Sequence, residues 1–418
     1  FRNVTGVQTC ALPIYVWLIA LAFKTFGTSL WSLRVASAVA AWLTVLVLMA
    51  WTRRYFGASV ALPAGLMLAT SFAFMYVHSG KSADTDALFT LFMLLTVVVL
   101  GSADRTPWML AWIGPLLAAT FMLRGMAMLM PLALVLAVET FGPHLRRPRA
   151  LPYAVGLLLA GTPVAWWCVA RSRLDGGRFL TELFFNDFVA RSGSVLDGHT
   201  GNLLYYADIL QRHHYDWLTV AAASLLLFPI PWRQVRFAAA AWWRDHRHRT
   251  VLMLAWVSIT LLVPTLMATK LPWYLNPFYP PFAIGLGALV ARGLSMQEHA
   301  FRRRALAAVL VVVVLIAEGR LIWTSYFRWD PSRSVQGLLF AERDAMRGQR
   351  VYRERWNNAE IFVLDALIGA RRGRTTDLVH FLEESRPGDY FVSMPDVNHP
   401  DLTLVRRDAA GALYRRKL

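Results

Sequence analysis

Charge is scarce in this chain. Only 17% of its 418 residues are Asp, Glu, Lys or Arg, whereas a soluble domain carries about a quarter. That shortage argues against an ordinary soluble globular protein. Cysteine is scarcer still. Cys10 lies near the terminus and Cys168 in an apolar run. Two such distant residues specify neither a disulfide framework nor a metal site. No glycine-rich nucleotide loop occurs and no internal repeat is visible. What fills the space is apolar: 56% of residues are hydrophobic and the mean hydropathy is +0.42. The 17 Trp and 13 Tyr suit the aromatic belts of a membrane protein. A net charge of +17 raises the question of nucleic acid. The cations are not gathered in one patch, however. Many fall in short clusters between hydrophobic runs, as in cytoplasmic loops, so no nucleic acid is expected as a partner.

Ten apolar segments can be read, at about 30–52, 58–77, 86–101, 107–123, 126–140, 151–170, 216–232, 251–268, 273–291 and 305–322. A span needs roughly 20 residues, fewer if its flanks snorkel. Lipid offers no hydrogen-bond partners to the backbone, so these segments are expected to be helices. The 107–123 and 126–140 pair is short and reads as a bent or half-inserted hairpin. Alternate connections carry Arg53-Arg54, Arg105, Arg146-Arg147-Arg149, the run from Arg233 to Arg249, and Arg292 with Arg302-Arg303-Arg304. The positive-inside rule makes these loops cytoplasmic. The other connections then face outward: 78–85, Arg124-Gly125, 171–215, 269–272 and everything after 322.

Residues 323–418 hold 29 charged residues and are therefore solvated. Phe381-Leu382-Glu383-Glu384 reads as a helix end. Asp389–Ser393 and Leu402–Val405 read as short strands. The expected architecture is mainly α, a polytopic transmembrane helical bundle of about ten spans, with a small outward-facing α/β C-terminal domain. The expected divisions are 1–14, 15–322 and 323–418.

The most informative stretch is His78-Ser79-Gly80-Lys81-Ser82-Ala83-Asp84-Thr85-Asp86, wedged between two apolar runs. Charge held so close to a bilayer is costly and is usually kept for function. Asp86 and Asp84 are the carboxylate candidates. The bland alternative is capping of the following helix, where Asp satisfies free N–H groups and suits the dipole. Two aspartates two apart could also share a divalent metal, but two ligands do not make a site. Arg124, Lys270 and Lys81 are cation candidates, against simple snorkelling at helix ends. His199, in Asp197-Gly198-His199-Thr200-Gly201, is either a pocket residue or a surface turn. Tyr274 either gates a lipid pocket or belongs to an aromatic belt. Arg34 reads as an interfacial anchor. The long 171–215 connection also holds Asp187, Arg191, Tyr205 and Tyr206. Loops of that length are functional or disordered.

Four stretches together resemble the GT-C class of membrane glycosyltransferases. The closer resemblance is to bacterial relatives of the protein O-mannosyltransferases and the lipid A aminoarabinose transferase. They are Tyr15-Val16-Trp17 through Gly27 with Arg34, then His78 through Phe92, then Phe121-Met122-Leu123-Arg124-Gly125, and Lys270-Leu271-Pro272-Trp273-Tyr274-Leu275-Asn276-Pro277-Phe278-Tyr279-Pro280. The resemblance covers about residues 15–322. It implies a polyprenyl-phosphate-linked sugar as donor, a lipid, glycan or protein as acceptor, and direct inversion at the sugar. The lack of a nucleotide loop agrees with a lipid-linked donor. Such chemistry needs a carboxylate for the acceptor, cations for the leaving phosphate and a greasy groove for the prenyl chain. In those terms Asp86 and Asp84 serve catalysis, Arg124, Lys270 and Lys81 hold phosphate, and His199 and Tyr274 line the acceptor or lipid pocket. No cofactor is assigned with certainty, and a divalent metal is compatible.

The chain also departs from that pattern. The family places a helix, an outer loop with its principal carboxylate and a Lys-Pro-Pro motif before the Tyr-x-Trp. None of these precedes Tyr15. Residues 1–14 have no helical stripe and resemble a translated sequencing adapter, so a non-native leader on a truncated, inactive enzyme is the expectation. Localisation in a bacterial inner membrane with a periplasmic C-terminus follows from the same reading. Two rivals remain. A polytopic transporter or flippase would show an internal repeat and ionisable residues at helix midpoints; the sequence shows no repeat and nearly uncharged helix centres. A non-catalytic scaffold or sensor would scatter its outer charges rather than gather them.

Overall fold

The structure is a computed structural model. It describes residues 13–142, 149–185, 189, 193–194, 200–230, 232–296, 299–327 and 330–417, without side chains at 232–245, 358–359 and 375. Residues 1–12, most of the expected leader, lie outside it. The chain divides into two compact units, one chiefly Leu30–Leu321 and the other chiefly Ile322–Leu418.

The first unit is helical: α1 (Pro13–Phe26), α2 (Leu30–Phe56), α3 (Ala58–Thr70), α4 (Phe72–Tyr76), α5 (Asp86–Ser102), α6 (Ile113–Arg124), α7 (Leu129–Phe141), α8 (Ala150–Asp175), α9 (Arg178–Phe184), α10 (Tyr205–Leu227), α11 (Trp232–Leu266), α12 (Tyr279–Ser295) and α13 (Ala300–Ile322). Among the described residues, five stretches are long and apolar enough to cross a membrane: Leu30–Phe56, Pro107–Phe141, Ala150–Asp175, His246–Leu266 and Ala300–Phe327. The Pro107–Phe141 stretch is not straight. Gly125, at φ 57°, breaks it between α6 and α7, as the short pair of segments suggested.

Side-chain contacts define two ends of this bundle. At one end the cations knit helix termini together. Arg149 pairs with Glu139 at 2.6 Å and Asp104 at 3.4 Å. His248 Nε2 lies 3.0 Å from the Leu100 carbonyl, Arg247 donates to the Phe141 carbonyl, and Arg249 covers the Tyr55 ring. Arg292 donates to the carbonyls of Phe228 and Pro229. These residues close the C-terminal ends of α2, α5, α7, α10 and α12. The N-terminal end of α5 and the C-terminal end of α6 therefore belong to the opposite end of the bundle.

Among the described residues α11 departs from helical geometry at His246, and α3 and α10 break inside the bundle. Ser71 ends α3 with ψ 111° and its hydroxyl accepts from Phe74 N to start α4. α10 departs from helical geometry at His214 (φ −129°, ψ 23°). The breaks face one another, with Ser71 Oγ and His214 Nε2 hydrogen-bonded at 2.7 Å. Arg320 of α13 donates to the His213 carbonyl at 2.8 Å and approaches Asp216 Oδ2 at 3.2 Å. Its guanidinium also covers the rings of Phe72 and Tyr215. In lipid a carbonyl exposed by a helix break has no other partner.

This arrangement corrects two expectations. α8 and α10 extend into the supposed 171–215 loop, as far as Asp175 and back to Tyr205. Asp216 and His214 then fall in the interior of α10, so the helix centres are not uniformly uncharged. A cavity of about 410 Å³ also opens between α10 and α13, lined by Asp216, Val309, Val312 and Ile316 among others.

Packing in the first unit also uses missing side chains. A Cβ on Gly114 of α6 would lie 2.0 Å from the Gly156 carbonyl oxygen of α8, and one on Gly156 would lie 2.4 Å from the Ala111 oxygen. The two backbones touch because neither residue has a side chain, the usual device where lipid provides no hydrophobic drive.

The second unit is a five-stranded sheet in the order β2-β1-β3-β5-β4. Its strands are β1 (Arg350–Arg353), β2 (Arg371–Thr375), β3 (Tyr390–Ser393), β4 (Leu402–Asp408) and β5 (Gly411–Arg416). β1 runs parallel to β2 and β3, while β5 is antiparallel to β3 and β4. All four residues of β3 are buried, as suits a central strand covered on both faces. The helix ending at Glu384 and the strands at Tyr390 and Leu402 fall where the sequence placed them.

Candidate active site

Asp86 is the first residue of α5, and its side chain is 2% exposed. Arg124 is the last residue of α6 and donates from Nη1 to Asp86 Oδ1. The Asp86 carboxylate thus engages a specific cation rather than serving only as a helix cap. The Arg124 guanidinium lies 5.5 Å from the ring centroids of both Phe89 and Tyr274. Tyr274 comes from the 3-10 turn Pro272–Phe278 that precedes α12. Three segments far apart in sequence therefore meet at one ion pair. Taking both charges out of water is costly, so the pair persists only because each compensates the other.

Asp84 stands next to this pair but has its own partners. Its Oδ2 is 2.7 Å from His78 Nδ1, and its Oδ1 accepts from Thr85 N at 2.7 Å. Ser37 donates to the Asp84 carbonyl at 2.8 Å and is joined to the Tyr15 hydroxyl at 2.7 Å. The Tyr15 and Arg34 stretch and the acidic stretch are therefore neighbours in space. Burial pushes the Asp84 pKa up, but the His78 hydrogen bond, the Arg124 charge and the Thr85 amide outweigh it and hold the pKa below the usual carboxylate value. The hydrogen bond to Asp84 raises the His78 pKa against the effect of burial. His78 also stacks on Trp273, with ring centroids 3.7 Å apart.

The remaining predicted residues are placed differently. Lys81 extends over the Tyr76 ring at 4.2 Å, and burial followed by the charge of Arg34 lowers its pKa. Lys270 donates to the carbonyls of Thr265 at 2.6 Å and Met267 at 2.8 Å. Its ammonium caps the C-terminal end of α11, and burial lowers its pKa. His199 lies outside the described residues, together with Asp187, Arg191 and Asp197. Among the described residues no three His, Cys, Asp or Glu side chains gather as a metal set. Asp86 is committed to Arg124 and Asp84 to His78.

Sequence reasoning passed over His78 and Trp273 as site residues, although both lie in the quoted motifs. It also passed over Ser37. A usable signal was the His78-to-Asp84 spacing within one loop too short to let the two separate far.

The family model described as dolichyl-phosphate-mannose-protein mannosyltransferase matches residues 11–167. An undecaprenyl phosphate-alpha-4-amino-4-deoxy-L-arabinose arabinosyl transferase 2 of Pseudomonas fluorescens is 28% identical over 320 residues, which are 74% of this chain and 52% of that protein. The corresponding transferase of Pseudomonas aeruginosa is 28% identical over 66% of this chain and 49% of its own length. The chain thus spans about half the length of the curated relatives it matches. In fold it is similar to ArnT from Cupriavidus metallidurans, solved bound to undecaprenyl phosphate. That likeness has a TM-score of 0.67 at 16% identity and covers 97% of this chain and 88% of that one. In sequence the chain is similar to members of the GT-C class of membrane glycosyltransferases, in line with the motif resemblance, and in fold it is similar to ArnT. Within that class, the similarity runs to the undecaprenyl-phosphate aminoarabinose transferases.

Proposed function

We propose that the chain is an integral-membrane glycosyltransferase moving a sugar from a polyprenyl-phosphate donor to a lipid, glycan or protein acceptor on the outer face of the inner membrane. The observation that carries this reading is the buried Asp86–Arg124 pair, covered by Phe89 and Tyr274. The acceptor oxygen attacks the anomeric carbon, the bond from that carbon to the phosphate oxygen breaks, and the configuration inverts. Arg124 offsets the charge that grows on the leaving phosphate. Asp86 holds the guanidinium in place and takes the acceptor proton once phosphate draws Arg124 toward itself. Asp84 supports the same loop through His78. The prenyl chain lies along the apolar bundle, with Tyr274 at its head. Lys270 and Lys81 stand second to Arg124 as phosphate contacts, because Lys270 already serves helix carbonyls.

The orientation belongs to the same proposal. The knitted cation end faces the cytoplasm and the Asp86–Arg124 end faces outward; the C-terminus is periplasmic by the same alternation of cationic loops. About ten membrane passages accommodate the helices, with α3, α5 and α12 as short spans inside the bundle. The relatives are named for undecaprenyl phosphate carrying aminoarabinose; a lipid-linked pentose or hexose donor is the corresponding expectation here.

The test is sugar transfer from a polyprenyl-phosphate donor by the membrane-embedded protein with a native upstream region restored ahead of Tyr15, with Asp86→Asn beside the unsubstituted protein. Asn caps a helix about as well as Asp, so a helix cap would tolerate the change. Loss of turnover by roughly 10²–10⁴-fold is expected for a carboxylate in proton transfer. Equal turnover in the two proteins would remove Asp86 from the mechanism.

A further inference from the structure

Among the described residues, His78 is the non-glycine residue at positive φ, 49°. Such a conformation costs energy and persists where surrounding contacts over-determine it. Two contacts do so here. Nδ1 is hydrogen-bonded to Asp84 Oδ2 at 2.7 Å, and the ring lies 3.7 Å from the Trp273 ring with the planes 27° apart. Asp84 is itself fixed by Ser37 and Thr85. Trp273 adjoins Tyr274, which covers Arg124. The imidazole is thus aimed from two sides at the edge of the same site. With Nδ1 occupied, Nε2 is the working atom. It makes no hydrogen bond among the described residues, and the side chain is 46% exposed.

We propose that His78 is a second anion contact of this site, its Nε2–H donating to a phosphate oxygen of the headgroup that Arg124 also meets. The proposal rests on the reading of the site as phosphate-handling. The charged groups facing the imidazole are Asp84 from its own loop, Asp86 from α5 and Arg124 from α6. The Pro272–Phe278 turn offers only the uncharged Trp273 ring. The two carboxylates favour the imidazolium and Arg124 opposes it. The net direction is upward, so the donating form is kept above the pH at which an ordinary histidine loses its proton. A carboxylate-bound imidazolium is a poor proton acceptor, which sets this role apart from that of a general base.

The experiment measures polyprenyl phosphate binding to the protein in lipid nanodiscs from about pH 6 to about pH 9, spanning the range of a raised histidine. Wild-type affinity should fall as pH rises through the His78 transition. His78→Asn suits the left-handed backbone; it should bind about 10-fold to 100-fold more weakly at the low end, the worth of a charge-assisted hydrogen bond, and keep only the step of the phosphate's own second ionisation at about pH 6. His78→Arg should recover affinity, again without the His78 step. Asp84→Asn should keep the step but move it to lower pH. A second readout is tryptophan emission, because stacked imidazolium quenches indole. The wild type should brighten on deprotonation, and Trp273→Phe should remove that change. A His78→Asn curve matching the wild type, or a step unmoved by Asp84→Asn, overturns the proposal alone. Wild-type protein that keeps its fluorescence step yet binds no polyprenyl phosphate at any pH overturns the functional reading with it.

Discussion

Replacing Arg320 by Met should destabilise the bundle more than any surface arginine would. The guanidinium donates to the His213 carbonyl at 2.8 Å and lies 3.2 Å from Asp216 Oδ2. The Asp216 side chain is 2% exposed, so its charge has no water to turn to. Breaking a buried pair by removing one partner costs about 3–5 kcal/mol. The His213 carbonyl, freed by the break at His214, would add about 1–3 kcal/mol if left without a donor. Protonation of Asp216 limits the sum, so a loss of about 4 kcal/mol is the working figure, the middle of the single-pair range. The assay is reversible unfolding in mixed micelles, run as a double-mutant cycle with Asp216→Asn. Removing the orphaned charge should restore part of the loss, giving a coupling of about 1–3 kcal/mol. A loss under about 1 kcal/mol for Arg320→Met would refute the reasoning, placing the pair among exposed ones. Strict additivity in the cycle would refute it equally.

Three further outcomes follow from the site and the bundle ends. Arg124→Lys keeps the charge but loses the planar fork, and transfer should drop by about 10-fold or more while the fold persists, checked by turnover and thermal unfolding in parallel. The His78–Asp84 pair should hold its loop only within a pH window. The raised His78 contributes stability in full below its unfolded pKa, and that contribution is lost as pH rises through the folded pKa; the lowered Asp84 contributes above its unfolded pKa and loses that as pH falls through its folded value. Amide exchange across residues 79–85 should therefore be slowest between the two transitions, and pH-independent protection would count against the pair. Reporter fusions after Arg249 and after residue 329 should read cytoplasm and outer face respectively, and finding both on one side would overturn the proposed orientation.

Much of the helical fold was legible because lipid forces one rule on the backbone. The apolar runs at 30–52, 86–101 and 305–322 reappear almost unchanged as α2, α5 and α13. The boundaries of α10 were not legible. Its first half, Tyr205 to Asp216, carries Asp208, Arg212, His213 and His214 and has no apolar run. Polar residues that pack inside a bundle look like loop to a hydropathy reading. The strands β1, β2 and β5 were missed for a related reason. Arginines dominate Arg350–Arg353 and Arg371–Thr375, and the pattern emerges only once the strands pair. At the site, Asp86, Arg124 and Tyr274 could be singled out because each sat at the edge of an apolar run. Their meeting could not be read from spacing. The role of Lys270 at the end of α11 was hidden because a helix-capping lysine and a phosphate-binding lysine look the same in sequence.

The glycine contact between α6 and α8 has a reach beyond its own two residues. α8 leads through Gly176 and Gly177 into α9, whose Leu183 rests against Gly125. A Cβ on Gly125 would come within 2.7 Å of Leu183 Cδ1. Gly125 directly follows Arg124. The chain thus closes a mechanical circuit: α6 sets the distance to α8 at Gly114 and Gly156, α8 carries α9, and α9 returns to the end of α6. The gauge of that circuit is the thickness of a bare backbone. A single methyl at Gly114 or Gly156 would widen it at one end, and the displacement would be delivered to the turn that carries the guanidinium, without any change in the site's own residues.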